Sequence, residues 1–186
     1  MTFDPSLHHR RSIRLKGYDY HHPGAYFITL CTQDHLHLFG HIEEWEVQLN
    51  AAGKMVHEAW LETPEFYPSC GLDEFVVMPN HFHGVIWLAP EALGMSTKGN
   101  SPMPESPEMK RTIQSRLSLP EFVKRFKSLT TNRYGDGVAS AGWPAYARRL
   151  WQRDYFEHIV RNEQELAQIR IYIRENPARW DNDPER

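Results

Sequence analysis

Leu72-Asp-Glu-Phe-Val-Val-Met-Pro-Asn-His-Phe-His-Gly-Val-Ile-Trp-Leu-Ala89 is the stretch that decides the fold class. Two apolar runs, residues 72–78 and 83–89, are joined through Pro79-Asn80. Runs of this length around a turn predict an antiparallel pair in the centre of a sheet. The strand period of two puts His81 and His83 on one face, with Phe82 on the other. Two neutral imidazoles side by side can share a cation, and Gly84 beside them is expected to leave room for a ligand. A third protein ligand and open positions for substrate would still be needed. The plainer account, two histidines at a strand edge, stays open at this point.

His35-Leu-His37 repeats the spacing, and His8-His9 and His21-His22 are further pairs. His35 follows the polar Thr32-Gln-Asp34, so His35 and His37 are expected to be surface residues. His81 lies in the most apolar stretch of the chain, where a polar pair needs a purpose.

Outward from this pair, residues 25–32 are rich in β-branched and aromatic types and bounded by Gly24, which predicts a strand. The spacing predicts a helix over 48–62, with Ala52, Val56 and Ala59 on one stripe and Trp60 beside it, closed by Pro64 and Pro68. Helical spacing returns at 119–129 with Phe122, Val123, Phe126 and Leu129; Ser118 and Glu121 have capping-box spacing, and Pro120 fits the first turn. A Gly-rich loop is expected near 135–142, before Trp143-Pro. A last helix is predicted over 163–175, ending before Asn176-Pro177 because the residue before proline disfavours helix. The class is α/β (α+β): an antiparallel sheet with helices packed on it. Residues 1–24 form a basic arm, and residues 90–116, dense in Pro, Ser, Gly and Met, a flexible connector within one domain.

With 186 residues, 40% apolar and 12% aromatic, the chain can bury a core. Its net charge of −3 carries no global nucleic-acid signal, so any such surface must be a local patch. Cys31 and Cys70, both in strand-like surroundings, make neither a disulfide framework nor a zinc site and are expected to be buried thiols. The start of the chain is not a signal peptide, and no apolar run reaches the roughly 20 residues a membrane span needs. A soluble, cytoplasmic protein without membrane contact is expected. Val85 stands where a histidine-triad hydrolase would carry a third histidine, no zincin pattern is present, and no Gly-rich phosphate loop leads into Lys-Ser/Thr.

In the last predicted helix, Leu166, Ile169 and Ile173 form the core stripe, with Tyr172 one step off it and Asn176 one turn further along that edge. A phenol and an amide oxygen can so face one site, although an aromatic at the core margin and a C-terminal cap explain the same residues. Arg10-Arg-Ser-Ile-Arg-Leu15 with Gly17-Tyr-Asp-Tyr20, Met78-Pro-Asn-His-Phe-His-Gly84, Trp151-Gln-Arg-Asp-Tyr-Phe-Glu-His158 and Tyr172-Ile-Arg-Glu-Asn-Pro177 together resemble the REP-associated tyrosine transposases, a branch of the HUH single-strand transposases. The resemblance covers nearly the whole chain in order, except for 90–116. It implies a sheet of four to five strands, ferredoxin-like or RRM-like in outline. It also implies His81, His83 and Asn176 as ligands of Mg²⁺ or Mn²⁺, and Tyr172 as the nucleophile in place of Tyr155. The implied reaction is metal-dependent cleavage and rejoining of single-stranded DNA beside a palindromic REP-like hairpin, through a 5′-phosphotyrosine, by a monomer. The rival readings are a domesticated hairpin-binding protein that does not cut, and a replication or relaxation initiator with the same chemistry.

Phosphate contacts are expected from Arg10, Arg11, Arg14 and Lys16 of the arm and from Lys124, Arg125, Lys127, Arg133, Arg148 and Arg149. Interleaved Phe126, Tyr134, Trp143, Tyr146 and Trp151 suit base stacking.

Overall fold

The computed structural model describes residues 18–88 and 117–186. Arg10, Arg11, Arg14 and Lys16, and the 90–116 connector, lie outside the described residues. Strand β1 is Gly24–Cys31, and a short hairpin follows, β2 Gly40–Glu43 and β3 Glu46–Leu49. Helix α1, Ala51–Leu61, and the single turn α2, Thr63–Phe66, lead to β4, Cys70–Val77, and β5, His81–Leu88. Then come α3, Leu119–Ala141; β6, Phe156–Val160; α4, Glu163–Glu175; and a 3₁₀ turn, Pro177–Asn182.

The main sheet has the order β4-β5-β1-β6 and is antiparallel throughout. With α1 between β1 and β4 and α3 between β5 and β6, the chain runs β-α-β-β-α-β, the ferredoxin-like arrangement expected above. Residues on alternate sides of β1 and β5 enter two separate cores. Tyr26, Ile28, Leu30, Phe82 and Ile86 pack under α1 and α3 around Trp60, whose ring meets Phe75, Phe82, Phe122 and Phe126. Ala25, Phe27 and Val85 face the other way and are covered by Leu166, Ile169 and Ile173 of α4.

Local chemistry explains most boundaries. Asn50 caps α1 by accepting the Gly53 N–H, and Asn162 caps α4 by accepting the Glu165 N–H, while the Glu165 carboxylate reaches back to the Arg161 N–H. Ser118 does begin α3, but its side chain makes no cap bond; Glu121 pairs with Arg125 instead of closing a capping box. The Gly-rich loop expected near 135–142 is helix as far as Ala141. A Cβ at Gly137 would lie 2.2 Å from the Trp143 ring, so this glycine admits an indole against the helix, and Gly142, at φ 67°, ends it. Gly84 also departs from expectation. A Cβ there would meet Phe82 and Trp60 at 2.8 and 3.0 Å, so its bareness serves the aromatic core and not a ligand beside the histidines.

Candidate metal and tyrosine site

The site lies where the α4-side core reaches the start of β5. Register sets His83 opposite Thr29 and His81 opposite Cys31, and alternation turns both rings to the α4 side. The rings are buried, with centroids 4.5 Å apart. Each has its Nδ1 fixed. His81 Nδ1 lies 2.8 Å from Asn80 Oδ1, an acceptor, so Nδ1 carries the proton and Nε2 keeps its lone pair. His83 Nδ1 lies 2.8 Å from Thr29 Oγ1, which can accept in the same way. Burial lowers the pKa of His81 against the opposing pull of Asp183, Glu185 and the Asn176 amide; burial and the neighbouring His81 put that of His83 well below the usual value. Both imidazoles are therefore neutral near pH 7, the form that binds cations.

Three buried polar atoms here have no hydrogen-bond partner: His81 Nε2, Asn176 Oδ1 and Asp183 Oδ2. His81 Nε2 lies 3.6 Å from that Asp183 oxygen, and one ligand atom each from His81, His83 and Asp183 falls within 4.8 Å of the others. Unpaired buried polar groups are costly and seldom left without a role. Two imidazole nitrogens, a carboxylate and an amide oxygen are a donor set that fits a divalent cation. The side chain of Asn176 caps nothing on α4; its amide adjoins His81.

Tyr172 sits beside this cluster. Its hydroxyl is 3.4 Å from His83 Nε2, and its ring packs edge-on to His83 and Phe27. Burial, followed by the Asp183 and Glu185 carboxylates, raises the phenol pKa. Tyr155 borders the site: its ring lies under the Lys127 ammonium, 5.3 Å away, and lines a small cavity with Thr29, Cys31 and Glu185.

The segment after α4 closes the site and was not anticipated. Trp180 stacks on His81 with centroids 6.1 Å apart, Asp183 offers its free oxygen, and Glu185 accepts from Asn80 Nδ2 through its carbonyl and from the Cys31 thiol through its carboxylate. His35 corrects the surface reading: Nδ1 bonds the Glu185 carbonyl and Nε2 meets Gln152, whereas His37 is exposed, its ring against Trp180. Cys31 and Cys70 are buried thiols outside any disulfide, as expected.

No family model matches the chain. An uncharacterized protein of Haemophilus influenzae is 38% identical over 187 residues, covering 97% of this chain and 95% of that one. The two proteins belong to one family. Among solved structures, the chain is similar to a REP-associated tyrosine transposase bound to a REP hairpin, with TM-score 0.47 and 18% identity over 84% of this chain and 68% of that one. It is also similar to a protein of Deinococcus radiodurans R1 proposed to be a transposase, with TM-score 0.47 and 16% identity over 85% of this chain and 92% of that one.

Among the basic residues named from sequence, Lys124, Arg148 and Arg149 line an open groove with Asn132 and Tyr146, joined by Arg153, which sequence reading missed. Gln152 lines both this groove and the cavity at Cys31 and Glu185. Lys127 lines the same groove, but its ammonium is engaged within the protein, donating to the carbonyls of Gln152, Arg153 and Asp154. Arg133 pairs with Glu62, and Arg125 with Glu121 and the Tyr67 ring. No helix among the described residues is long and apolar enough to cross a membrane.

Proposed function

We propose that this protein is a metal-dependent transesterase of single-stranded DNA, a transposase of the tyrosine type with Tyr172 as its nucleophile. The observation that carries this is the meeting of the Tyr172 hydroxyl, 3.4 Å from His83 Nε2, with the cluster of orphaned ligand atoms on His81, Asn176 and Asp183. His81, His83, Asn176 and Asp183 would hold the cation. Mixed nitrogen and oxygen donors favour Mn²⁺, with Mg²⁺ as the alternative. A bound divalent cation would polarise a phosphate oxygen and offset negative charge at the phenol.

The residues supply the rest. Asn80 and Thr29 hold the two imidazoles in the tautomer that presents Nε2 to the site. Phe27 and His83 fix the plane of the Tyr172 ring. Attack of the Tyr172 oxygen on a phosphodiester forms the Tyr–O–P bond and breaks the P–O3′ bond, leaving a 5′-phosphotyrosine and a free 3′-hydroxyl. Reversal with another 3′-hydroxyl rejoins the strand without ATP, because the covalent bond conserves the phosphodiester energy. The groove of Lys124, Arg148, Arg149 and Arg153 would take the strand's phosphates, with Tyr146 offering a stacking face. The motif resemblance supplies the substrate, hairpin-flanked single-stranded DNA, and supports a monomer.

The test is incubation with labelled hairpin single-stranded DNA and Mn²⁺, followed by a denaturing gel. A covalent adduct is expected that vanishes in Tyr172→Phe and persists in Tyr155→Phe. An adduct surviving in Tyr172→Phe would place the nucleophile elsewhere. Absence of adduct with retained hairpin binding would favour the non-cutting binding protein.

A further inference from the structure

Asp73 and Arg170 make a contact that neither the cation cluster nor the basic groove uses. Strand β4 carries one extra residue between the Leu72–Ile86 and Phe75–Gly84 pairs, so Asp73 and Glu74 share the place opposite Val85. Such a bulge re-aims a side chain, and here the Asp73 carboxylate meets α4. Arg170 donates through Nε to Oδ1 and through Nη2 to Oδ2, both at 2.7 Å. Trp87 Nε1 donates to Oδ2 at 3.0 Å and the Glu74 N–H to Oδ1 at 2.8 Å, so each oxygen accepts two bonds. Four donors fill the carboxylate's acceptor sites and fix its orientation.

Apart from the His158–Glu165 pair at its first turn, 2.8 Å, the other holds on α4 are chiefly apolar, Leu166, Ile169 and Ile173 against Ala25, Phe27 and Val85. Apolar packing is non-directional and permits small sliding and rolling of a helix. A planar guanidinium on a planar carboxylate does not, and lysine cannot reproduce it. Arg170 lies on α4 two residues before Tyr172, whose hydroxyl stands at the long limit of hydrogen bonding to His83. A slight roll of the helix would carry the phenol away from the imidazole.

We infer that the Asp73–Arg170 pair is a positioning clamp that sets the roll of α4 and so places the Tyr172 hydroxyl beside His83. The clamp rests on the reading of Tyr172 as nucleophile for its effect on rate, but not for its effect on geometry. Full-length Arg170→Lys and Asp73→Asn would be compared with wild type for adduct rate on the hairpin substrate, Mn²⁺ affinity, melting temperature, and the nuclear Overhauser contact between the Tyr172 and His83 rings. Loss of about an ångström of placement predicts a fall in adduct rate on the order of 10²-fold. Hairpin binding should hold, Mn²⁺ affinity should fall far less than the rate because Asn176 alone among the proposed ligands sits at the end of α4, the ring contact should weaken, and Asp73→Glu should recover part of the rate. Wild-type rate together with an intact ring contact in Arg170→Lys overturns the clamp. So does a parallel loss of rate, Mn²⁺ affinity and melting temperature, which would mark a merely structural pair. If wild type forms no adduct, the nucleophile reading fails and the ring contact alone decides: weakened in Arg170→Lys, the clamp stands; unchanged, it falls.

Discussion

One face of the central sheet, under α1 and α3, is filled by aromatic rings around Trp60; the other, under α4, passes from Phe27 and Val85 into His81, His83 and Thr29. The same two strands supply both faces. On the first, most of the burial is ring packing, which shapes even Gly84, although Trp60 Nε1 and the Glu157 carboxylate, beside Ile28 in the sheet, are left without hydrogen-bond partners. On the second, burial gathers polar atoms that the protein does not itself satisfy. A sheet with alternating faces can thus keep its stability on one side and its chemistry on the other.

Substitutions should therefore differ in sign as well as size between the faces. Trp60→Ala, in the fully buried ring cluster, should lower unfolding free energy by about 3–5 kcal/mol, measured by denaturant titration. On the other face, His81→Ala should weaken Mn²⁺ binding by roughly 10²-fold or more in calorimetry, since a lost ligand costs at least what a lost supporting residue does. Asp183→Asn removes a buried carboxylate oxygen that has no partner, so without metal it should be neutral or stabilising by about 1 kcal/mol, while losing most of the Mn²⁺-induced rise in melting temperature. A clear loss of metal-free stability in Asp183→Asn would erase the contrast between the faces.

The smallest effect concerns pH. Burial raises the Asp73 carboxyl, but the hydrogen bonds from Arg170, Trp87 and the Glu74 N–H, with the Arg170 charge, outweigh it and hold the pKa at about 2. A depressed carboxyl stabilises the fold above its unfolded pKa of about 3.9, and that contribution is lost as pH falls toward 2. Hydrogen exchange in α4 should quicken across that window in wild type and show a smaller step in Asp73→Asn.

What could be read in advance follows the same division. Strand alternation and helical spacing located β1, β4, β5, α1 and α4, because each has an apolar face longer than its irregularities. The hairpin β2–β3 has four-residue strands of mixed polarity, and Gly135 and Gly137 concealed the second half of α3, because a glycine's packing partner is invisible in the chain. In the site, His81, His83, Tyr172 and Asn176 stood in recognisable motifs, and the structure brings all four together. Asp183 was missed. It is one of three acids, with Asp181 and Glu185, in a segment without periodicity, and only the docking of Trp180 on His81 selects it. The basic residues were legible as a set but not singly, since Lys127, Arg125 and Arg133 turn to partners within the protein.

The ligand cluster draws on residues separated by about a hundred positions, His81 and His83 on one side and Asn176 and Asp183 on the other. During synthesis, which runs from the N-terminus, the two histidines emerge and can enter a sheet with β1 long before their oxygen partners exist. A pair of imidazoles alone is half a chelate. The two histidines are therefore in place before Tyr172, Asn176 and Asp183 have been added, and the proposed site becomes whole only as α4 and the turn after it dock.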